Sequence, residues 1–321
     1  MMAQQACPRQ AYGRYLVQAA EKDSRIVALD ADLSGSTMSC LLRERFPERH
    51  FEMGIAEQNM VAAAAGLAFS GKIPFVHSFS MFLTGRAFEQ IRQSVALAKA
   101  NVKLVGSSYG LSDFGDGATH QALEDVAIMR ALPNMTILVP ADPAEVEEAV
   151  DLALAIDGPV YIRISRSPME YLTKEVPGRT LLEPALMAEG TDITVFANGL
   201  MAKTALEARE ALLAEGISLR VVNVSCVKPL DQEGIRRFAR DVQGVITVEE
   251  HSIIGGLGSA VLEALALDPK PTYVVGVEDT FGQSGQSHEE LLAHYGLTKE
   301  AIFARARMLM GRVEKHDAEG V

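Results

Sequence analysis

Two consecutive α/β domains, each dominated by a parallel sheet, are what this sequence predicts, on three observations. Short apolar runs alternate with segments of helical periodicity along almost the whole chain, the pattern of parallel strands covered on both faces by helices. One stretch, Ser167 to Pro184, is rich in proline, glycine and charge and has no periodicity, which divides the alternation in two. The length, 321 residues with 48% hydrophobic and 22% charged, suffices for two full cores.

The elements follow in order. Arg9 to Glu21 carries apolar residues at helical spacing. Ile26 to Leu29 is a short apolar strand that runs into the polar loop Asp30-Ala31-Asp32-Leu33-Ser34-Gly35-Ser36, and Thr37 to Arg45 is helical. The strand, loop, helix rhythm returns after Phe51, after Ile73, at Val102 to Gly106 and at Thr136 to Val139. There Pro140-Ala141-Asp142-Pro143 caps a helix running to Leu154, and Val160 to Ile164 is a further strand. Beyond the linker, strands are expected at Ile193 to Ala197, Leu219 to Val224, Gly244 to Glu249 and Tyr273 to Val277. Helices are expected at Met201 to Glu215, Ile235 to Val242, Leu257 to Leu267 and Lys299 to Met310, with a frayed acidic tail after Val313.

Composition excludes several roles. A net charge of −12 argues against binding nucleic acid or an anionic membrane surface. No apolar run approaches the roughly 20 residues of a membrane span, and the N-terminus lacks a signal-peptide core. The three cysteines, Cys7, Cys40 and Cys226, show no CxxC spacing; neither a disulfide framework nor a metal site is expected, which suits the cytoplasm.

The stretch Phe51 to Gln90 carries the strongest chemical signal. It sets one acid, Glu57, between a strand and a small-residue helix, and follows it with Phe79, Phe82 and Arg86. An acid at a strand end facing aromatics suits a flat heterocycle held by edge and face; its bland alternative is a helix-start acid favoured by the dipole. Phe79 and Phe82, three apart, read by default as core and draw notice only because Arg86 lies one further turn on. In the loop Gly110 to Gln121, Asp116 and His120 suit sugar hydroxyls or proton relay, against an N-cap with a solvated histidine. Arg9, Ser36 and Arg166 lie near element ends and could gather into an anion site, though each alone reads as surface. His77 reads as a packed structural histidine, and Gly255 to Gly258 as a tight turn lacking full dinucleotide-binding spacing.

Taken together, FEMGIAEQNMVAAAAGLA, HSFSMFLTGRAFEQIR, GLSDFGDGATHQALEDVAIMRALPNMTILVPAD, ISRSP and ITVEEHSIIGGLGSAV resemble the C-terminal half of transketolase. The resemblance implies a pyrimidine-binding domain at 1–170, a linker at 171–188 and a transketolase C-terminal domain at 189–321. It also implies the second subunit of a split enzyme, active with an N-terminal subunit in an α2β2 heterotetramer. The cofactor implied is thiamine diphosphate, with Mg2+ (or Ca2+ or Mn2+) held mainly by that partner. The implied activity is transfer of a two-carbon ketol unit from a ketose to an aldose, on sugar phosphates or sugars with another terminal anion such as sulfonate.

By the same resemblance Glu57 donates to the pyrimidine ring nitrogen, Phe79, Phe82 and Arg86 line the ring site, and Asp32 lies near the cofactor at the subunit interface. Asp116 and His120 contact donor hydroxyls near the reacting carbons, and Arg9, Ser36 and Arg166 meet the terminal phosphate. Two positions depart from the family pattern. Ser108 stands where many transketolases carry a phosphate-binding histidine, and Gly85 stands near the third aromatic of the pyrimidine pocket, as a one-residue insertion before Arg86. A deoxyxylulose-phosphate synthase-like subunit, the β subunit of a 2-oxo acid dehydrogenase and a non-catalytic partner subunit are the alternatives.

Overall fold

The computed structural model describes residues 5–173, 176 and 180–311; the tail expected to fray lies outside the described residues. The first domain is a parallel sheet of β1 (Ile26–Asp30), β2 (His50–Glu52), β3 (Ile73–Phe79), β4 (Lys103–Ser107), β5 (Thr136–Leu138) and β6 (Val160–Ile164), in the order β5-β6-β4-β3-β1-β2. All residues of β1, β3, β4, β5 and β6 are buried, because helices cover both faces. On one face Tyr12 and Leu16 of α1 (Pro8–Lys22) pack with Phe75, Ile162 and Val150; on the other, Met60, Val61 and Ala64 of α2 (Glu57–Phe69) pack with Val76 and Leu104.

The second sheet contains β7 (Ala185–Ala188), β8 (Ile193–Ala197), β9 (Leu219–Asn223), β11 (Gly244–Ser252) and β12 (Thr272–Val277), in the order β12-β11-β8-β9-β7. Only β7 runs antiparallel to its neighbour. The second sheet therefore begins at Ala185, inside the span assigned to the linker, because these residues pair with Val221–Asn223. Between β9 and the helix Gln232–Ala239, β10 (Cys226–Lys228) crosses back and joins the first sheet antiparallel to β5. Three residues before a cis Lys228–Pro229 bond carry no periodicity, so nothing in the sequence signals this crossing.

Along the chain after β3, two wide π-helical turns, Phe82–Arg86 and Ile91–Leu97, flank a single α turn. A π turn takes up one extra residue within a helix, and the first contains Gly85. Phe79 and Phe82 thus do not share a helical face: Phe79 ends β3 and Phe82 opens the turn.

Candidate active site

In a parallel sheet the loops after the strands gather at one edge, the usual place for ligands. Asp32 and Ser36 follow β1, Glu57 follows β2, Phe79 ends β3, Ser108 to His120 follow β4, and Arg166 follows β6. Arg9 reaches the same edge from the first turn of α1, where its Nη1 donates to the Ser36 carbonyl at 2.7 Å.

Glu57 opens α2 and is buried, with Oε1 accepting from Ser78 Oγ at 3.2 Å and from Arg86 Nη1 at 3.1 Å. Arg86 is half exposed and its guanidinium lies 3.9 Å from the Phe82 ring centre, so one side chain joins the acid to the aromatic. Phe79 and Phe82 stack on each other at 5.9 Å, and His120 stands edge-on to Phe82 at 4.9 Å. These five residues form one connected wall, which His120 joins from the loop after β4. Ser78, the second partner of Glu57, had no sequence signal beyond its place on a strand.

Asp32 is exposed in a left-handed conformation (φ 63°), its amide held by Glu52 Oε1 at 2.7 Å. Beneath it Asp30 is buried and accepts from the Leu33 amide, Thr37 Oγ1 and Ser39 Oγ. Burial raises the Asp30 pKa while these donors restrain it. His77 is structural: Tyr12 Oη contacts Nε2 at 2.6 Å, and Nδ1 donates to the Leu29 carbonyl at 3.0 Å. Burial pushes its pKa down to about 4, so the ring is neutral and plays no part in acid–base exchange near pH 7.

The loop 108–121 is fastened from the second domain. Leu111 N donates to Glu250 Oε1 at 2.6 Å, Gly285 N to the Phe114 carbonyl at 2.8 Å and Gln121 Nε2 to the Gln283 carbonyl at 2.9 Å. Gly110 (φ 61°) and Gly117 (φ 73°) are required here, since a Cβ would meet Glu250 Oε1 at 2.3 Å and Ser284 Oγ at 2.5 Å respectively. Below the loop, Arg163 and Asp125 form a fully buried ion pair. Burial alone would lower the Arg163 pKa, but Asp125 holds it up.

Asp116 is exposed and His120 half-buried, with Thr119 Oγ1 2.9 Å from the His120 Nδ1. The sequence reading of this loop used Asp116 and passed over Asp113, which is buried and accepts from Arg166 Nη1 at 2.5 Å. Burial raises the Asp113 pKa, Arg166 opposes it and the neighbouring Asp116 carboxyl adds to it. Arg9 lies within electrostatic reach of both Arg166 and Asp113. The three positions expected to gather do gather, with an acid among them. Ser108, set by the resemblance at the place of a phosphate-binding histidine, is completely buried at φ 54°, and its hydroxyl has no partner.

Gly255 to Gly258 forms a tight turn. Its amides at Leu257 and Gly258 are taken by the Glu249 carboxylate at 2.7 and 2.8 Å, which leaves no cradle for a phosphate. Among the described residues no cluster of His, Cys, Asp and Glu could hold a metal ion, and no helix is long and apolar enough to cross a membrane.

Residues 5–170 match the family model for the transketolase pyrimidine-binding domain, and residues 185–302 that for the transketolase C-terminal domain. The chain belongs to the transketolase family. It is 43% identical over 311 residues to a putative transketolase C-terminal section of Methanocaldococcus jannaschii, covering 96% of each chain. It is 44% identical over 305 residues to a 6-deoxy-6-sulfo-D-fructose transketolase subunit of a Clostridium species, covering 95% of this chain and 94% of that one. A solved split-gene transketolase, described as an inactive β4 tetramer, superimposes with a TM-score of 0.87 at 44% identity, over 95% of this chain and 98% of that one. Transketolases are thiamine diphosphate enzymes, and this chain corresponds to the C-terminal section of the split form, a transferase subunit.

The pyrimidine half of that cofactor fits the residues present. A buried carboxylate stands at the opening of α2, and an aromatic wall capped by Arg86 stands beside it.

Proposed function

We propose that this chain, joined to an N-terminal subunit, transfers a two-carbon ketol unit from a ketose donor to an aldose acceptor. The observation that carries the reading is the buried Glu57 carboxylate in one connected wall with Arg86, Phe82, Phe79 and His120. Thiamine diphosphate, when bound, would supply the nucleophilic carbon that the transfer needs. Glu57 binds the pyrimidine and orients it, with Ser78 and Arg86 fixing the carboxylate. His120 and Asp116, at the open side of the wall, bind the sugar hydroxyls next to the reacting carbons and pass protons to and from them. Arg9, Ser36 and Arg166 surround the distal end of the sugar, and Asp32 faces the subunit boundary.

We assign the pyrophosphate and its Mg2+ (or Ca2+ or Mn2+) mainly to the partner, which would supply the other half of the transketolase chain. One observation supports a partner at this edge: Ile55, two residues before Glu57, is 74% exposed. We expect an α2β2 assembly; light scattering of the co-purified pair checks this, and a stable 1:1 dimer contradicts it. Free thiols at Cys7, Cys40 and Cys226 suit the cytoplasm.

The test mixes this chain with its N-terminal partner, thiamine diphosphate and magnesium, and follows aldose-dependent consumption of ketoses. Glu57→Gln should lower kcat by at least about a hundredfold, the lower range for a positioned acid–base group. Full turnover by the single chain would sink the split-subunit reading, and an unchanged Glu57→Gln complex would sink the assignment of Glu57.

A further inference from the structure

The second domain holds the edge that carries the candidate site, and one side chain joins two of its loops. His288, the first residue of the helix His288–His294, is buried between the domains. Its Nδ1 is 2.7 Å from Ser167 Oγ, and Ser167 directly follows Arg166. Its Nε2 is 2.8 Å from Glu250 Oε1 on β11, and that same oxygen accepts from Leu111 N at 2.6 Å. Through Glu250, one imidazole therefore bridges the loop after β6, which carries Arg166, to the loop after β4, which carries Asp116 and His120.

The segment leading into this helix already holds the second loop, at the Phe114 carbonyl and at Gln121; His288 extends that hold to the first. Glu250 Oε2 is buried without a hydrogen-bond partner, so this carboxylate depends on His288 and the Leu111 amide, both at Oε1. The bonds of His288 go to Ser167 and Glu250, so its effect on the site passes through the two loops. We propose that His288 is a positioning residue that fixes the Arg166 loop and the loop 108–121 relative to each other and thereby sets how tightly the ketose is held. This deepens the transfer reading and rests on it.

Two measurements test the proposal. The first follows amide hydrogen exchange in the full chain alone, comparing wild type with His288→Phe, His288→Gln and Ser167→Ala. His288→Phe should exchange about tenfold faster at Leu111 and along 108–121, since a hydrogen bond to a charged group is worth about that factor or more. His288→Gln, whose amide can still donate to Glu250, should lie between the two. Ser167→Ala cuts only the other end of the bridge and should quicken exchange at residue 167. Unchanged exchange at Leu111 in His288→Phe would overturn the proposal, and so would an increase spread equally over the core strands of the first domain. Should His288→Phe fail to fold, His288→Gln and the half-buried Ser167→Ala carry the test.

The second uses the reconstituted complex with a ketose donor and an aldose acceptor. His288→Phe should raise KM for the ketose by about tenfold, more than it lowers kcat, and His288→Gln should recover part of that loss. A loss confined to kcat, or an equal loss in His288→Gln and His288→Phe, would overturn the positioning role. A complex silent in wild type, with the exchange differences intact, would count against ketol transfer while supporting the bridge between the two loops.

Discussion

Asparagine in place of Asp125 keeps the size of the side chain and removes the charge that Arg163 is built around. Asp125 accepts from Arg163 Nε at 2.8 Å, Arg163 Nη2 at 2.9 Å and Tyr161 Oη at 2.6 Å. Both ionic side chains are at most 1% exposed, so water cannot replace the lost partner. A buried ion left without its counter-ion costs about 3–5 kcal/mol. For a domain of this size 1 kcal/mol moves Tm by about 2–4 °C, so Asp125→Asn should melt on the order of 10 °C below wild type. The control is Tyr161→Phe, which removes one hydrogen bond and leaves the ion pair, at about 1 kcal/mol. Urea unfolding of both variants, followed by two optical probes, gives the energies. A cost below about 1 kcal/mol for Asp125→Asn would refute the claim that Arg163 depends on this carboxylate. Arg163 also donates to the Ala122 and Glu250 carbonyls, so the same variant should raise KM for the ketose by loosening the loop above it.

Two pH predictions follow from buried histidines. Burial holds the His77 pKa at about 4 in the folded chain against 6.5 for a free imidazole, so below the higher value the unfolded state binds more protons and stability falls as pH falls. At pH 5 the loss attributable to His77 is about 2 kcal/mol, and His77→Gln should flatten the stability curve between pH 7 and pH 5 by about that amount. His288 has the opposite sign: burial opposes its charge, but the Glu250 carboxylate, 2.8 Å from Nε2, outweighs burial and raises its pKa. Its contribution is therefore fully present below 6.5 and is lost as pH rises through the raised value. His288→Gln should destabilise the chain more at pH 6 than at pH 9 in parallel urea titrations, and an equal loss at both would contradict the pairing.

Much of this site was legible in the sequence because a parallel sheet leaves few choices. Once each apolar run is a strand and each periodic run a helix, the residues after the strands must meet at one edge. Glu57, Phe79, Phe82, Arg86, Asp116 and His120 could be collected from that rule and the motif spacing together. The structure then adds what spacing cannot carry. Asp113 stands three residues from Asp116 in a loop without periodicity, and only the turn of the backbone decides that it points inward beneath Arg166. Ser108 occupies the expected place on the chain, yet its left-handed backbone turns it into the interior. The crossing of Cys226–Lys228 into the other sheet depends on a long-range pairing, which no local pattern records.

The bond from Leu111 to Glu250 bears on where such a protein can be divided. The loop after β4 is laid down by the first domain, but it is held in part by a carboxylate encoded 139 residues later. A gene cut between the two domains would yield a first fragment whose sugar-facing loop lacks its template. Severing the chain ahead of both domains spares that template. Fission is therefore better tolerated ahead of both domains than between them, a constraint written in the bonds that Glu250, Gln283 and Gly285 make to one loop.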